Sequence, residues 1–159
     1  MSVIGTLTDF ERRAGRALFV TTFPTHTADG KIEFFPLSWE NLPVERYLDD
    51  TFAALPARPA LGLRAALWMI ALSPLFVIGR FATLPSLERE DREKVLVKLA
   101  ASNVYVVRQL VLAWKAVGGL FFGGLPEVRA VAQLPPPADF GRGKKLPVVV
   151  ALKGAADVH

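Results

Sequence analysis

The sequence predicts an all-α fold, an irregular bundle of five to six helices followed by an extended C-terminal arm. Three observations predict it. Apolar residues recur at three- and four-residue spacing in successive runs up to about position 132. Patterns that start helices precede several of these runs. Prolines and glycines separate the runs and then crowd the chain after Leu134.

Thr8-Asp9-Phe10-Glu11 is a capping-box pattern, with Thr8 as N-cap and Glu11 three residues on. Phe10, Ala14, Ala17 and Leu18 follow at helical spacing, so the first helix spans about 9–22 and ends before Phe23-Pro24. Residues 25–38 read as a loop with an Asp29-Gly30 turn, and its aromatics Phe34, Phe35 and Trp39 are expected to cover a core. Asn41 is the expected cap of the second helix. Pro43 sits near its first turn, and Val44, Tyr47, Leu48, Phe52 and Leu55 mark its face. The third helix is expected over about 60–78. It is apolar nearly all round and so expected to be buried, with Pro74 kinking it or ending its regular part.

Ser86 is the expected cap of the fourth helix, with Glu88, Glu90 and Asp91 loading its first turn with the charge the helix dipole favours. Val95, Leu96 and Leu99 form its stripe. Ser102-Asn103 breaks it or begins a fifth helix, which runs to about Val117 with Val106, Val107, Leu110, Val111 and Trp114 inward. Gly118-Gly119 and Gly123-Gly124 suggest fraying there. Pro126 starts a short last helix to about Ala132. The helical domain is thus 1–134. Residues 135–159 form the arm: Pro135-Pro136-Pro137 favours an extended path, and Val148 to Leu152 suits a strand added to a partner.

Of the 159 residues, 52% are hydrophobic and 21% charged, more apolar and less charged than an average soluble domain. A chain this short has little interior in which to hide that surface, which points to a permanent partner or a membrane surface. A net charge of +4, with no basic patch interleaved with aromatics, argues against a nucleic-acid partner. The absence of cysteine excludes disulfides, thiolate metal sites and covalent haem. The start lacks a secretory pattern, and Arg12-Arg13 is a poor twin-arginine match. The chain is therefore expected in the cytoplasm or peripheral at the inner membrane, and in the periplasm only if a partner carries the export signal. Residues 65–79 are uncharged but shorter than a span.

The catalytic inventory is empty, and the chain is expected not to be an enzyme by itself. There are two histidines, and one of them, His159, is the last residue, so His26 alone cannot build a multi-histidine site. Asp49 and Asp50 are adjacent on a helix and diverge. Gly118-Gly119-Leu120-Phe121-Phe122-Gly123-Gly124 has neither dinucleotide-binding nor phosphate-loop spacing, and no G-x-S-x-G elbow is present. No catalytic, cofactor-binding or metal-binding residue is assigned. What remains is large aromatics: Trp39, Trp68, Trp114, Phe121 and Phe122. Phe121 and Phe122, about 100° apart on a helix, are hard to bury together in a small bundle and read as an anchor into something else.

One ordered pattern carries a resemblance. It comprises Leu72-Ser73-Pro74-Leu75, Gly79-Arg80-Phe81, Leu84-Pro85, Glu90-Asp91-Arg92 and Leu96, continuing through Ser102, Arg108, Lys115 and Phe121-Phe122-Gly123. Over about 60–132, and more loosely around the first helix and Phe23-Pro24, the chain resembles the small (gamma) subunit of glucose–methanol–choline flavin oxidoreductases, the gluconate 2-dehydrogenase subunit 3 type. A similar helical segment precedes the flavin domain of long-chain alcohol oxidases in that superfamily. The resemblance implies a non-catalytic subunit that stabilises a large FAD-containing oxidoreductase of alcohols, sugars or sterols, and that lines part of its substrate entrance. FAD and the catalytic histidine would belong to the partner. The missing twin-arginine leader departs from many such subunits. The expected contact residues are Trp68, Phe81, Trp114, Phe121 and Phe122. The competing readings are a membrane-surface or scaffold protein without a redox partner, and a helical small-molecule-binding or enzymatic domain.

Overall fold

A computed structural model describes residues 6–25 and 37–133. Among them are seven α-helices and no strand: α1 Asp9–Thr22, α2 Val44–Ala54, α3 Ala57–Leu72, α4 Pro74–Val77, α5 Arg89–Ala100, α6 Tyr105–Gly124 and α7 Pro126–Val131. The fold is all-α, as the periodicity predicts. His26, the Asp29-Gly30 turn, Phe34, Phe35 and the 135–159 arm lie outside the described residues.

Helix α1 is the central element and packs against α2, α3, α5 and α6, while α6 also packs along α3 and α5. The capping box forms as expected: the Glu11 amide donates to Thr8 Oγ1 at 3.2 Å, and the Glu11 carboxylate accepts from the Thr8 amide at 2.7 Å. Ala14, Leu18 and Phe19 of α1 are buried in one core with Leu48 and Phe52 of α2, Leu67 and Ile70 of α3, Val95 and Leu99 of α5, and Val111 and Trp114 of α6. Ion pairs at the edge hold α2 to α1: Arg12 with Asp49 at 3.1 Å and Arg16 with Glu45 at 2.8 Å. Asp50 instead approaches Arg46 on its own helix, so the two aspartates do diverge.

Four boundaries differ from expectation, each for a visible reason. Asn41 does not cap α2. It closes a 3-10 turn, Trp39–Asn41, that seats the Trp39 indole N–H on the Phe23 carbonyl at 3.2 Å, and Pro43 stands at the cap. Helix α3 stops at Leu72. Pro74 has no N–H to give the Ile70 carbonyl, which accepts instead from the Ser73 amide at 3.3 Å and the Ser73 hydroxyl at 2.8 Å, and Pro74 begins the one-turn helix α4. Ser86 does not cap α5. It closes a second 3-10 turn, Leu84–Ser86, with Thr83, because Leu84 and Leu87 on either side plunge into the core and α5 starts after Glu88. Helix α6 does not fray at Gly118. It continues to Gly124, and one face of its last turns, Gly118, Phe121 and Phe122, is buried in the core.

That last point rests on close packing. A Cβ on Gly118 would stand 2.7 Å from the Phe23 ring and 3.0 Å from Phe19, so α6 meets α1 only with glycine there. The contact builds an aromatic core: Phe19 lies 5.9 Å from Phe121 and 6.2 Å from Trp114, and Phe23 stacks on Phe122 at 5.4 Å. Trp39 covers both phenylalanines, 6.3 Å from Phe121 and 5.9 Å from Phe122. The aromatic polar tips are satisfied too, Trp114 on the Leu63 carbonyl at 3.0 Å and Tyr47 on the Val117 carbonyl at 3.2 Å.

Candidate functional site

The expected contact residues divide into two groups. Trp114, Phe121 and Phe122 are in the core, which corrects the expectation that they anchor a partner. The adjacent phenylalanines are both buried because α1 walls one side and the Trp39–Asn41 turn the other. Val106, expected inward, is exposed. Trp68 and Phe81 are at the surface, 41% and 96% exposed, and they belong to a larger feature.

The third helix is not buried all round. Ala60, Ala66, Leu67, Ile70 and Ala71 face inward, while Leu61, Trp68 and Leu72 are exposed along the opposite side. Their spacing of seven and four residues puts them on one stripe, and Phe76 of α4, 84% exposed, extends it. Beyond Phe76 the chain turns at Gly79, whose φ of +68° is favourable only for glycine, and returns with Phe81 outward. Leu72, Leu75, Phe76, Phe81, Ala82 and the hydroxyl-bearing Thr83 and Ser86 enclose an open cleft of about 540 Å³.

The ridge is held rigidly at both ends. At one end the Trp68 ring packs on Phe10 at 4.7 Å, and its indole N–H donates to Glu11 Oε1 at 3.0 Å. The same carboxylate, 2% exposed, accepts Arg64 Nε at 2.8 Å and Arg64 Nη2 at 2.7 Å in a two-pronged pair. Burial alone would raise the Glu11 pKa. The Arg64 guanidinium, the Thr8 amide, the Trp68 indole and the Thr8 hydroxyl outweigh it and bring the carboxyl down to about 2. At the other end Arg80 pairs with Asp91 of α5, which Lys94 also reaches at 3.3 Å, and Lys98 donates to the Val77 carbonyl at 3.3 Å.

Leu61, Leu72 and Phe76 are the ridge residues that sequence reasoning missed. Their signal was the common stripe, hidden because the inward stripe of α3 is equally apolar and periodicity does not say which one faces out. Glu11 and Arg64 were also missed as a pair, since 53 residues separate them.

The cleft offers apolar walls and two hydroxyls, and among the described residues no group of three or more His, Cys, Asp or Glu gathers to hold a metal. Comparison with family models, with curated proteins and with solved structures found no match.

Proposed function

We propose that this chain is a non-catalytic accessory subunit whose α3–α4 ridge docks on a larger protein. The observation that carries it is the ridge itself: Leu61, Trp68, Leu72, Phe76 and Phe81 form a preorganised apolar surface fixed at both ends. Covering a large apolar side chain is worth about 1.5–3 kcal/mol. Five of them amount to the same order as the ~4–15 kcal/mol cost of association, so the ridge is the anchor of an interface wider than itself.

The resemblance drawn from Leu72 to Gly123 favours a particular partner, the large FAD-containing subunit of a glucose–methanol–choline oxidoreductase. Several residues that carry it shape the ridge: Ser73 and Pro74 make the α3–α4 break, Gly79 the turn, and Arg80 with Asp91 the brace behind Phe81. In this reading FAD and the reacting groups belong to the partner, and the ridge and cleft cover apolar surface beside its substrate entrance. Purification of the tagged chain from its native cells tests it. A larger yellow flavoprotein in fixed ratio is the expected result. A stable, soluble monomer that carries no flavoprotein opposes it.

A second reading, attachment to a membrane surface, has one observation in its favour. Helix α6 is long and apolar enough to cross a bilayer, and Leu112 and Leu120 on it are exposed. Its opposite stripe, from Val111 through Trp114 to Phe122, supplies the core, so insertion of the whole helix would dismantle the fold. Co-sedimentation of the folded chain with liposomes distinguishes this reading from the first.

A further inference from the structure

Away from the ridge, Arg13, Arg16, Ala17 and Val20 share one face of α1. With Pro85 and Arg92 they line a recess of about 240 Å³ between α1, the Leu84–Ser86 turn and α5. Three guanidinium groups and no carboxylate line it. Arg16 is partly committed, one nitrogen to Glu45 at 2.8 Å and another to the Trp39 carbonyl at 2.6 Å. Arg13 pairs with no carboxylate among the described residues. Arg92 is the unusual member: its Nε is shielded from solvent and has no hydrogen-bond acceptor. Glu93, whose charge acts on Arg92, is engaged by Arg89 at 2.9 Å. Burial, and then repulsion from Arg89, lowers the Arg92 pKa, with Glu93 offsetting only part of this.

A buried guanidinium N–H without an acceptor is a cost that folded proteins rarely leave uncompensated. The recess as a whole gathers three guanidinium groups and no carboxylate, so the group that suits it carries negative charge and several acceptor oxygens. Guanidinium groups converging from two helices suit an anion that accepts on more than one side, which chloride does poorly and a phosphoryl group does well.

We propose that the Arg13–Arg16–Arg92 recess is a binding site for a phosphoryl oxoanion, taken up as free phosphate or as the headgroup of an anionic lipid. The site stands whether or not the chain docks on a flavoprotein, since it uses none of the ridge residues.

The test is titration of the full-length chain with inorganic phosphate at constant ionic strength in chloride, with thermal unfolding in parallel. Vesicles of phosphatidylglycerol in phosphatidylcholine form a second arm. Tenfold excess over Kd is expected to raise the wild-type Tm by about 4 °C. Arg92→Met and Arg13→Gln are each expected to weaken binding roughly tenfold, the loss of one charge-assisted contact. Arg92→Met is also expected to leave Tm in chloride unchanged or higher, because it removes the unsatisfied donor. Arg13 is exposed, so Arg13→Gln gives a reading even if the other variant folds poorly. Phosphate binding lost in the variants assigns a free anion. Vesicle binding lost in the variants, without phosphate binding, assigns a headgroup. No binding in either arm, or binding that both variants keep, overturns the site.

Discussion

Replacing Glu11 by glutamine is the sharpest probe of how the ridge is held. The carboxylate accepts five contacts, from Arg64 twice, from the Thr8 amide and hydroxyl, and from Trp68. An amide of the same shape loses the charge and turns one acceptor into a donor facing other donors. The magnitude follows from the pKa. Folded, the group titrates at about 2 instead of 4.5. At about 1.4 kcal/mol per pH unit, that difference is worth roughly 3 kcal/mol of stability. The folded state binds the proton more weakly than the unfolded state, so this contribution is complete above pH ~4.5 and disappears as pH falls towards ~2. Denaturant unfolding of wild type and Glu11→Gln across that range is the assay. The variant is expected to be about 3 kcal/mol less stable at neutral pH, with the gap closing between pH ~4.5 and ~2. Other carboxylates titrate alike in both proteins and cancel in the difference. Two parallel profiles, with a gap independent of pH, would show that Glu11 does not hold the ridge electrostatically.

Other expectations follow from the packing. Gly118→Val should cost about 1–3 kcal/mol by forcing a side chain into the Phe19 and Phe23 rings, whereas Gly123→Ala, with nothing within 4 Å of the new methyl, should gain about 0.5–1 kcal/mol of helix stability. Thermal melts of both variants check the pair. Trp114→Ala should cost about 3–5 kcal/mol, since it empties a fully buried site and removes the indole hydrogen bond to the Leu63 carbonyl. Phe76→Ser with Phe81→Ser should change stability by no more than about 0.5 kcal/mol, the two rings being 84% and 96% exposed, while making the isolated chain more soluble. A loss of several kcal/mol there would mean the ridge supports the fold instead of facing a partner.

How much of this was legible varies along the chain. Helix α1 was legible to the residue, because Thr8 and Glu11 act within one turn and Phe23-Pro24 ends the helix locally. Wherever a boundary depended on a distant partner, local signals misled. Ser86 and Asn41 are good caps in isolation, but Leu84, Leu87 and Trp39 are drawn into the core and displace the helix starts. Gly118 reads locally as a helix end and is instead the point of closest approach between two helices. Of the five residues expected to contact a partner, Trp68 and Phe81 are exposed, while Trp114, Phe121 and Phe122 are buried. Trp39 covers the two phenylalanines, and Phe19 and Phe52 pack on Trp114; the Trp39 contact is about 80 residues away in sequence, and no periodicity reports such partners.

The central claim is that the α3–α4 ridge seats this chain on a flavin-bearing partner. The most direct measurement is the flavin recovered per tagged chain from native cells, for wild type and for the Phe76→Ser, Phe81→Ser variant. Wild type is predicted to bring down a larger flavoprotein in constant proportion, and the equally well-folded variant to lose most of it. Equal flavin recovery from both, or none from either, would contradict the account.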